Sequence, residues 1–223
     1  MRIESKICLP FYKIAYAVFF TGVLCLIRGV TYTQEIGPAL ESPMALLAAV
    51  FCADTYIQEI LSGRYQIQRL YPLKNRLASM AKRLMIQEAF LLFLSAAGYG
   101  MYLLVQRPVL LNGEERGENS SVAIFLIYLG AVFVSLLFWG LLSHVLSCLF
   151  RNMWAGIGSC LLLWTVTNST VGDKWLGCWN LFSYSFRDLE DSGDLSWLWG
   201  KLLCVAASIL LAYMLPKIVK KRG

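Results

Sequence analysis

The chain has 223 residues, 58% of them hydrophobic and 15% charged, with a net charge of +6 and a mean hydropathy of +0.59. Soluble domains carry about a quarter of their residues as charges, so a single soluble core is excluded, and the long apolar runs are the membrane signature. The placement of the positive charge matters more than its sum and argues against a nucleic-acid partner.

In chain order, a charged start at 2–6 leads into an apolar run at 11–27. No A-x-A site follows it, and Gly22-Val23-Leu24 before Cys25 is a poor lipobox. It reads as a retained first span rather than a cleaved signal. Further spans are predicted at 43–61, 85–105, 122–148, 154–171 and 197–216, each near the roughly 20 residues that cross hydrocarbon. The reading is an all-α membrane protein of six transmembrane helices in a single domain, 1–223. Ala45, Ala49 and Ala53 set a small-residue stripe on the second span, which lets helix backbones approach closely.

The Lys/Arg bias orients such a bundle. With the N-terminus inside, 14 of the 20 Lys/Arg fall on the inner side, and the acids gather outside. Both termini are therefore expected in the cytoplasm, with Lys217, Lys220, Lys221 and Arg222 beside an anionic inner leaflet. The segment 172–196 before the last span is aromatic, with Trp175, Trp179, Phe182 and Tyr184. Such residues favour the headgroup level, so short helices dipping into the outer interface are expected there.

Catalytic signatures are missing. The sequence has no GxxxxGK[ST] phosphate loop, and His144 is its only histidine, so no His-based metal set is possible. The seven cysteines form no CxxC pair and read as small hydrophobes. Glu114-Glu115 lies in a Gly-containing polar loop without a partner motif. Ionisable and polar groups in spans are costly, which makes Asp54, Gln58, Glu88 and His144 the intramembrane candidates, Asp54 deepest with Gln58 on the same face. Glu59 and Glu88 are expected at the inner interface, paired with the neighbouring Lys/Arg. Lys201 is expected to snorkel from the outer end of the last span.

The most informative stretch is 59–84, where Arg64, Arg69, Lys74, Arg76, Lys82 and Arg83 accompany one acid, Glu59. Ile67, Leu70 and Tyr71 make a short amphipathic turn. Pro72 breaks it and opens a second helix, in which Leu73, Leu77, Met80 and Leu84 recur at helical spacing. A short helix, a proline break and an amphipathic helix running into the third span are predicted.

This stretch resembles the ABC-2 type permeases, the membrane subunits of type V ABC exporters. In that family acids and a glycine end the second span. A short coupling helix follows, then a proline nine residues after the glycine, a basic residue, and a lysine ten residues after the proline. Glu59, Gly63, Pro72, Arg76 and Lys82 fall on or close to those places. Arg64 stands where a threonine is common, and Ala81 where glycine is common. The six spans, inner N-terminus and aromatic segment before the last span extend the resemblance to nearly the whole chain.

The resemblance implies a coupling helix between spans two and three, with Glu59, Gly63, Ile67, Leu70, Tyr71, Pro72, Arg76 and Lys82 as the coupling surface. It implies outer re-entrant helices carrying Trp175, Trp179, Phe182 and Tyr184. It also implies a second permease chain, and a separate ATP-binding cassette subunit that holds ATP and magnesium, none being bound by this chain. The implied setting is a bacterial plasma membrane and an amphiphilic cargo such as a peptide, antibiotic, lipid or glycolipid. The residues alone leave open a gradient-driven transporter or channel and a non-transporting membrane scaffold.

Overall fold

The computed structural model describes residues 2–55, 57, 70–109, 118–187 and 195–222. They form helices α1 (Arg2–Cys8), α2 (Phe11–Ile27), α3 (Ile36–Cys52), α4 (Leu73–Gln106), α5 (Glu118–Phe150), α6 (Met153–Thr167), α7 (Thr170–Leu176) and α8 (Trp197–Arg222). No strand occurs among the described residues, only an isolated bridge between Tyr32 and Val109. Four stretches are long and apolar enough to cross a membrane: Thr33–Cys52, Leu73–Gln106, Ser121–Phe150 and Trp197–Lys221. Helices α2 and α6 are apolar but shorter, at 17 and 15 residues.

The bundle has two chemically distinct ends. At the basic end α1 lies on the start of α4, and Met80 of α4, Cys148 of α5 and Val219 of α8 pack together. Exposed Lys6, Lys74, Lys82, Arg151, Lys217, Lys220 and Lys221 surround that end. The opposite, aromatic end carries α7 and the turn that follows it. Both α2 and α6 run between these two ends, alongside the longer helices.

Helix α3 is the axle, with 13 of its 17 residues buried. Its alanine stripe does what small residues do in lipid: Ala45 and Ala49 lie against Phe138, Trp139 and Cys160 of α5 and α6, and the Ser143 hydroxyl of α5 donates to the Ala49 carbonyl. The helix begins seven residues before the predicted start, with Pro43 in its interior. Proline removes the amide that would bond the Ala39 carbonyl. Arg28 supplies the missing donor, its Nη1 lying 3.0 Å from that oxygen.

Helices α5 and α6 form a tight hairpin. Arg151 turns the chain at φ 52°, and the Asn152 side chain caps α6 by accepting the Trp154 amide at 2.9 Å. Gly156 is required by the close approach, since a Cβ there would sit 2.8 Å from the Ser147 nitrogen. At the aromatic end Gln106 ties α4 to α2, donating to the Cys25 and Arg28 carbonyls at 2.8 Å and accepting the Val30 amide at 2.7 Å.

Candidate functional site

Buried charge is expensive in a membrane unless paired and hydrogen-bonded, so the bundle's buried ionisable side chains mark where it carries specialised chemistry. In the aromatic half, Glu41 of α3 meets Lys201 of α8 in an ion pair with side-chain exposures of 0% and 5%. Lys201 also donates to the Ser135 hydroxyl of α5 at 2.8 Å and the Leu181 carbonyl at 3.0 Å. Glu41 accepts the Ser135 hydroxyl at 2.7 Å and the Ser185 hydroxyl at 2.6 Å. Lys201 does not snorkel as expected: the turn at 181–185 roofs it, and Glu41 neutralises it from below.

That turn belongs to the aromatic segment, whose four predicted residues divide into two pairs. Trp175 and Trp179 are exposed, at 87% and 48%. Phe182 and Tyr184 are fully buried. Phe182 stacks on Trp139 with centroids 5.5 Å apart at 11°. Tyr184 occupies the space left by Gly37, where a Cβ would lie 2.6 Å from its hydroxyl oxygen. The turn is held by Asn180, which donates to the Thr167 carbonyl and accepts the Phe182 amide, both at 3.0 Å. Short helical pieces therefore precede the last long helix, and Phe182 and Tyr184 of the turn that follows them face into the bundle.

In the basic half, Asp54, expected deepest within the second span, lies instead in the turn just past the end of α3 at Cys52, where it is buried and paired with Lys13 of α2. Lys13 also donates to the Phe51 carbonyl at 2.9 Å. Beside it the Thr55 hydroxyl donates to Gln87 Oε1 at 2.7 Å. Glu88 departs from expectation. It is buried and faces Cys52 and Gly140 rather than the described cations of the 59–84 stretch, Lys74, Arg76, Lys82 and Arg83. Its Oε1 accepts only the Cys52 thiol, at 3.8 Å, and its Oε2 has no hydrogen-bond partner among the described residues. Gly140 makes the room, since a Cβ there would collide with the carboxylate. One turn along α5, His144 is 1% exposed. Its Nε2 lies 4.0 Å from the Cys148 sulfur, and its Nδ1 has no partner among the described residues.

The basic end carries exposed apolar side chains. Leu70 and Tyr71 are 83% and 58% exposed, and Pro72 is the N-cap of α4 with its φ at −53°. From there α4 runs without a break through the predicted amphipathic piece and the third span. Lys82 is exposed and Arg76 half-buried on its first turns. Helix α1, which the sequence reading took as only a charged start, clamps this region. Glu4 accepts from Arg83 Nε at 2.6 Å and from the Ser79 hydroxyl at 2.9 Å. Partial burial raises the Glu4 pKa, but these hydrogen bonds and the charges of Arg83 and Lys82 outweigh it and hold the carboxyl below its usual value. Gln58, Glu59, Gly63 and Ile67 lie outside the described residues.

The partners that matter most here, Lys13 for Asp54 and Glu41 for Lys201, lie 41 and 160 residues apart in sequence. Their signal in the sequence was charge in otherwise apolar runs, with no indication of the pairing. Compared with models of protein families, with curated proteins and with solved structures, the chain finds no match.

Proposed function

We propose that the chain is the membrane-spanning permease subunit of an ATP-driven exporter, with six crossing helices and the basic end in the cytoplasm. A separate ATP-binding cassette subunit docks at the tip before α4 and holds the ATP and magnesium. A second permease chain completes the path for an amphiphilic cargo across the plasma membrane. The observation that carries this reading is α4 itself. Its 34 residues make a rod about 50 Å long at 1.5 Å per residue, against roughly 30 Å of hydrocarbon. The excess projects at the basic end, tipped by exposed Leu70, Tyr71 and Pro72. Force applied at that tip reaches the far end of α2 through Gln106, because an unbroken helix is stiff along its axis.

The test is co-purification of tagged chain with a co-expressed ATP-binding subunit in mild detergent. A stoichiometric complex is expected, and the Leu70→Asp/Tyr71→Asp variant should lose it while inserting normally. Normal complex yield in that variant sinks the docking role.

A second reading rests on Glu88. A buried carboxylate with an oxygen lacking a partner is the kind of group through which gradient-driven transporters move protons or ions. Flux in liposomes driven by an ion gradient alone, and lost in Glu88→Gln, would favour it over the exporter.

A further inference from the structure

A groove of about 410 Å³ opens on the side of the bundle between α4 and α8, with α5 as its floor. Its walls are apolar: Leu77 and Ala81 from α4, Leu141 from α5, Ala212 and Pro216 from α8. It sits toward the basic end and shares Met80 with the Met80–Cys148–Val219 contact. In a membrane such a lateral groove faces acyl chains. Two features make it more specific than a lipid-facing surface.

The first is charge at its mouth. Lys74 lies three residues before Leu77 on α4, and Lys220 lies four after Pro216 on α8. Helical periodicity carries each groove wall one turn further to a lysine, and both lysines are exposed. The second is the floor. His144 lines the groove, is 1% exposed, and leaves Nδ1 without a partner among the described residues. In the neutral ring tautomer that carries its proton on Nδ1, His144 offers a donor to whatever fills the groove. Cations at the rim, one donor at the floor and apolar walls between them match a single molecule: an acyl chain, an ester carbonyl and an anionic phosphate in series.

We propose that this groove is a site for an anionic phospholipid of the leaflet at the basic end. Its phosphate lies between Lys74 and Lys220, an ester carbonyl on His144 Nδ1, and one acyl chain along Ala81 and Ala212. The site needs only that the bundle spans a membrane, so it stands whether or not an ATPase docks at the tip.

The experiment is native mass spectrometry of the full chain released from micelles holding equal phosphatidylglycerol and phosphatidylcholine. One retained phosphatidylglycerol is expected. A lysine near a lipid surface contributes about 1 kcal/mol, or about fivefold in affinity, so the preference should fall about 25-fold in Lys74→Gln/Lys220→Gln. Ala81→Phe, which fills the groove, should remove the retained lipid. Replacing ester-linked by ether-linked phosphatidylglycerol should weaken retention by the natural chain and leave His144→Phe unaffected. Equal retention of the two lipids overturns the proposal, as does a preference that survives the double lysine variant. Cross-linked dimers through Ala212→Cys in intact membranes would assign the groove to a second copy of the chain and overturn it as well.

Discussion

In the aromatic half of the bundle Lys201 places its donors on Glu41, Ser135 and the Leu181 carbonyl, and Glu41 receives two serine hydroxyls besides. In the basic half, among the described residues, Glu88 leaves one carboxylate oxygen without a partner, and His144 leaves Nδ1 without one. These side chains are buried to nearly the same degree, yet the Glu41–Lys201 network is closed while Glu88 and His144 are open. A closed network ties elements together, here α3, α5, α8 and the turn at 181–185. An open one costs stability and is retained where a group must exchange partners. The difference separates a latch from a place where chemistry or movement can occur.

Breaking the latch should have the largest effect. Glu41→Ala leaves a buried ammonium without its counter-ion, which costs about 3–5 kcal/mol. Lys201→Met should cost nearly as much, because the carboxylate is then stranded. Thermal unfolding in detergent should show both single variants far below the natural chain. The double variant Glu41→Met/Lys201→Met should recover much of the loss, since an apolar pair of similar volume removes both charges together. If the double variant is as unstable as the sum of the singles, the two residues do not act as a pair.

The open region is probed through its glycine. Gly140→Ala drives a methyl group into the Glu88 carboxylate, and overpacking of this kind costs about 1–3 kcal/mol. Gly130, on the same helix, has open space around its Cβ position, so Gly130→Ala should gain about 0.5–1 kcal/mol from helix propensity. Adding Glu88→Ala to Gly140→Ala should restore stability. Loss of stability in both glycine variants would mean that the helix, and not the carboxylate, sets the cost.

Adjacent residues of the turn sharpen the contrast further. The Ser185 hydroxyl reaches the Glu41 carboxylate at 2.6 Å, whereas the Tyr184 hydroxyl is buried without a partner among the described residues. Ser185→Ala should cost about 1.5–3 kcal/mol, the range for a hydrogen bond to a charged group. Tyr184→Phe keeps the ring beneath Arg187, 4.2 Å away, and removes only an unsatisfied group, so its unfolding temperature should hold or rise.

The long apolar helices were legible because 20-residue runs have few other uses, and α4 was predicted through its amphipathic start to its far end. The start of α3 was not. Gly37, Pro38, Glu41 and Ser42 read locally as a polar loop before the span predicted from Pro43. They are helical because Arg28 caps the carbonyl that Pro43 strands and Lys201 neutralises Glu41. Hydropathy counts residues one at a time, and both partners come from other helices. The same blindness made Lys201 look like a snorkelling residue and Glu88 like an interfacial one. Aromatic content located the segment before α8, but only packing could show that Phe182 and Tyr184 turn inward while Trp175 and Trp179 stay out.

The smallest effect belongs to the solvent edge of the basic half, where charge is tied by a partly exposed pair. The Glu4 carboxyl titrates below its usual value because Arg83 and Ser79 hold its charged form. A depressed folded-state pKa contributes stability above the unfolded value, and that contribution is lost as pH falls through the folded value. The pair is worth up to about 1 kcal/mol, too little to unfold the bundle but enough to loosen a seven-residue helix. Amide exchange in α1 should therefore quicken in the natural chain, relative to Glu4→Gln, as pH drops through the carboxylate range, while exchange in α5 stays unchanged. Matching α1 profiles in the two chains would show that α1 is held by its apolar face on α4, with Cys8 as the buried anchor, and that Glu4 adds nothing.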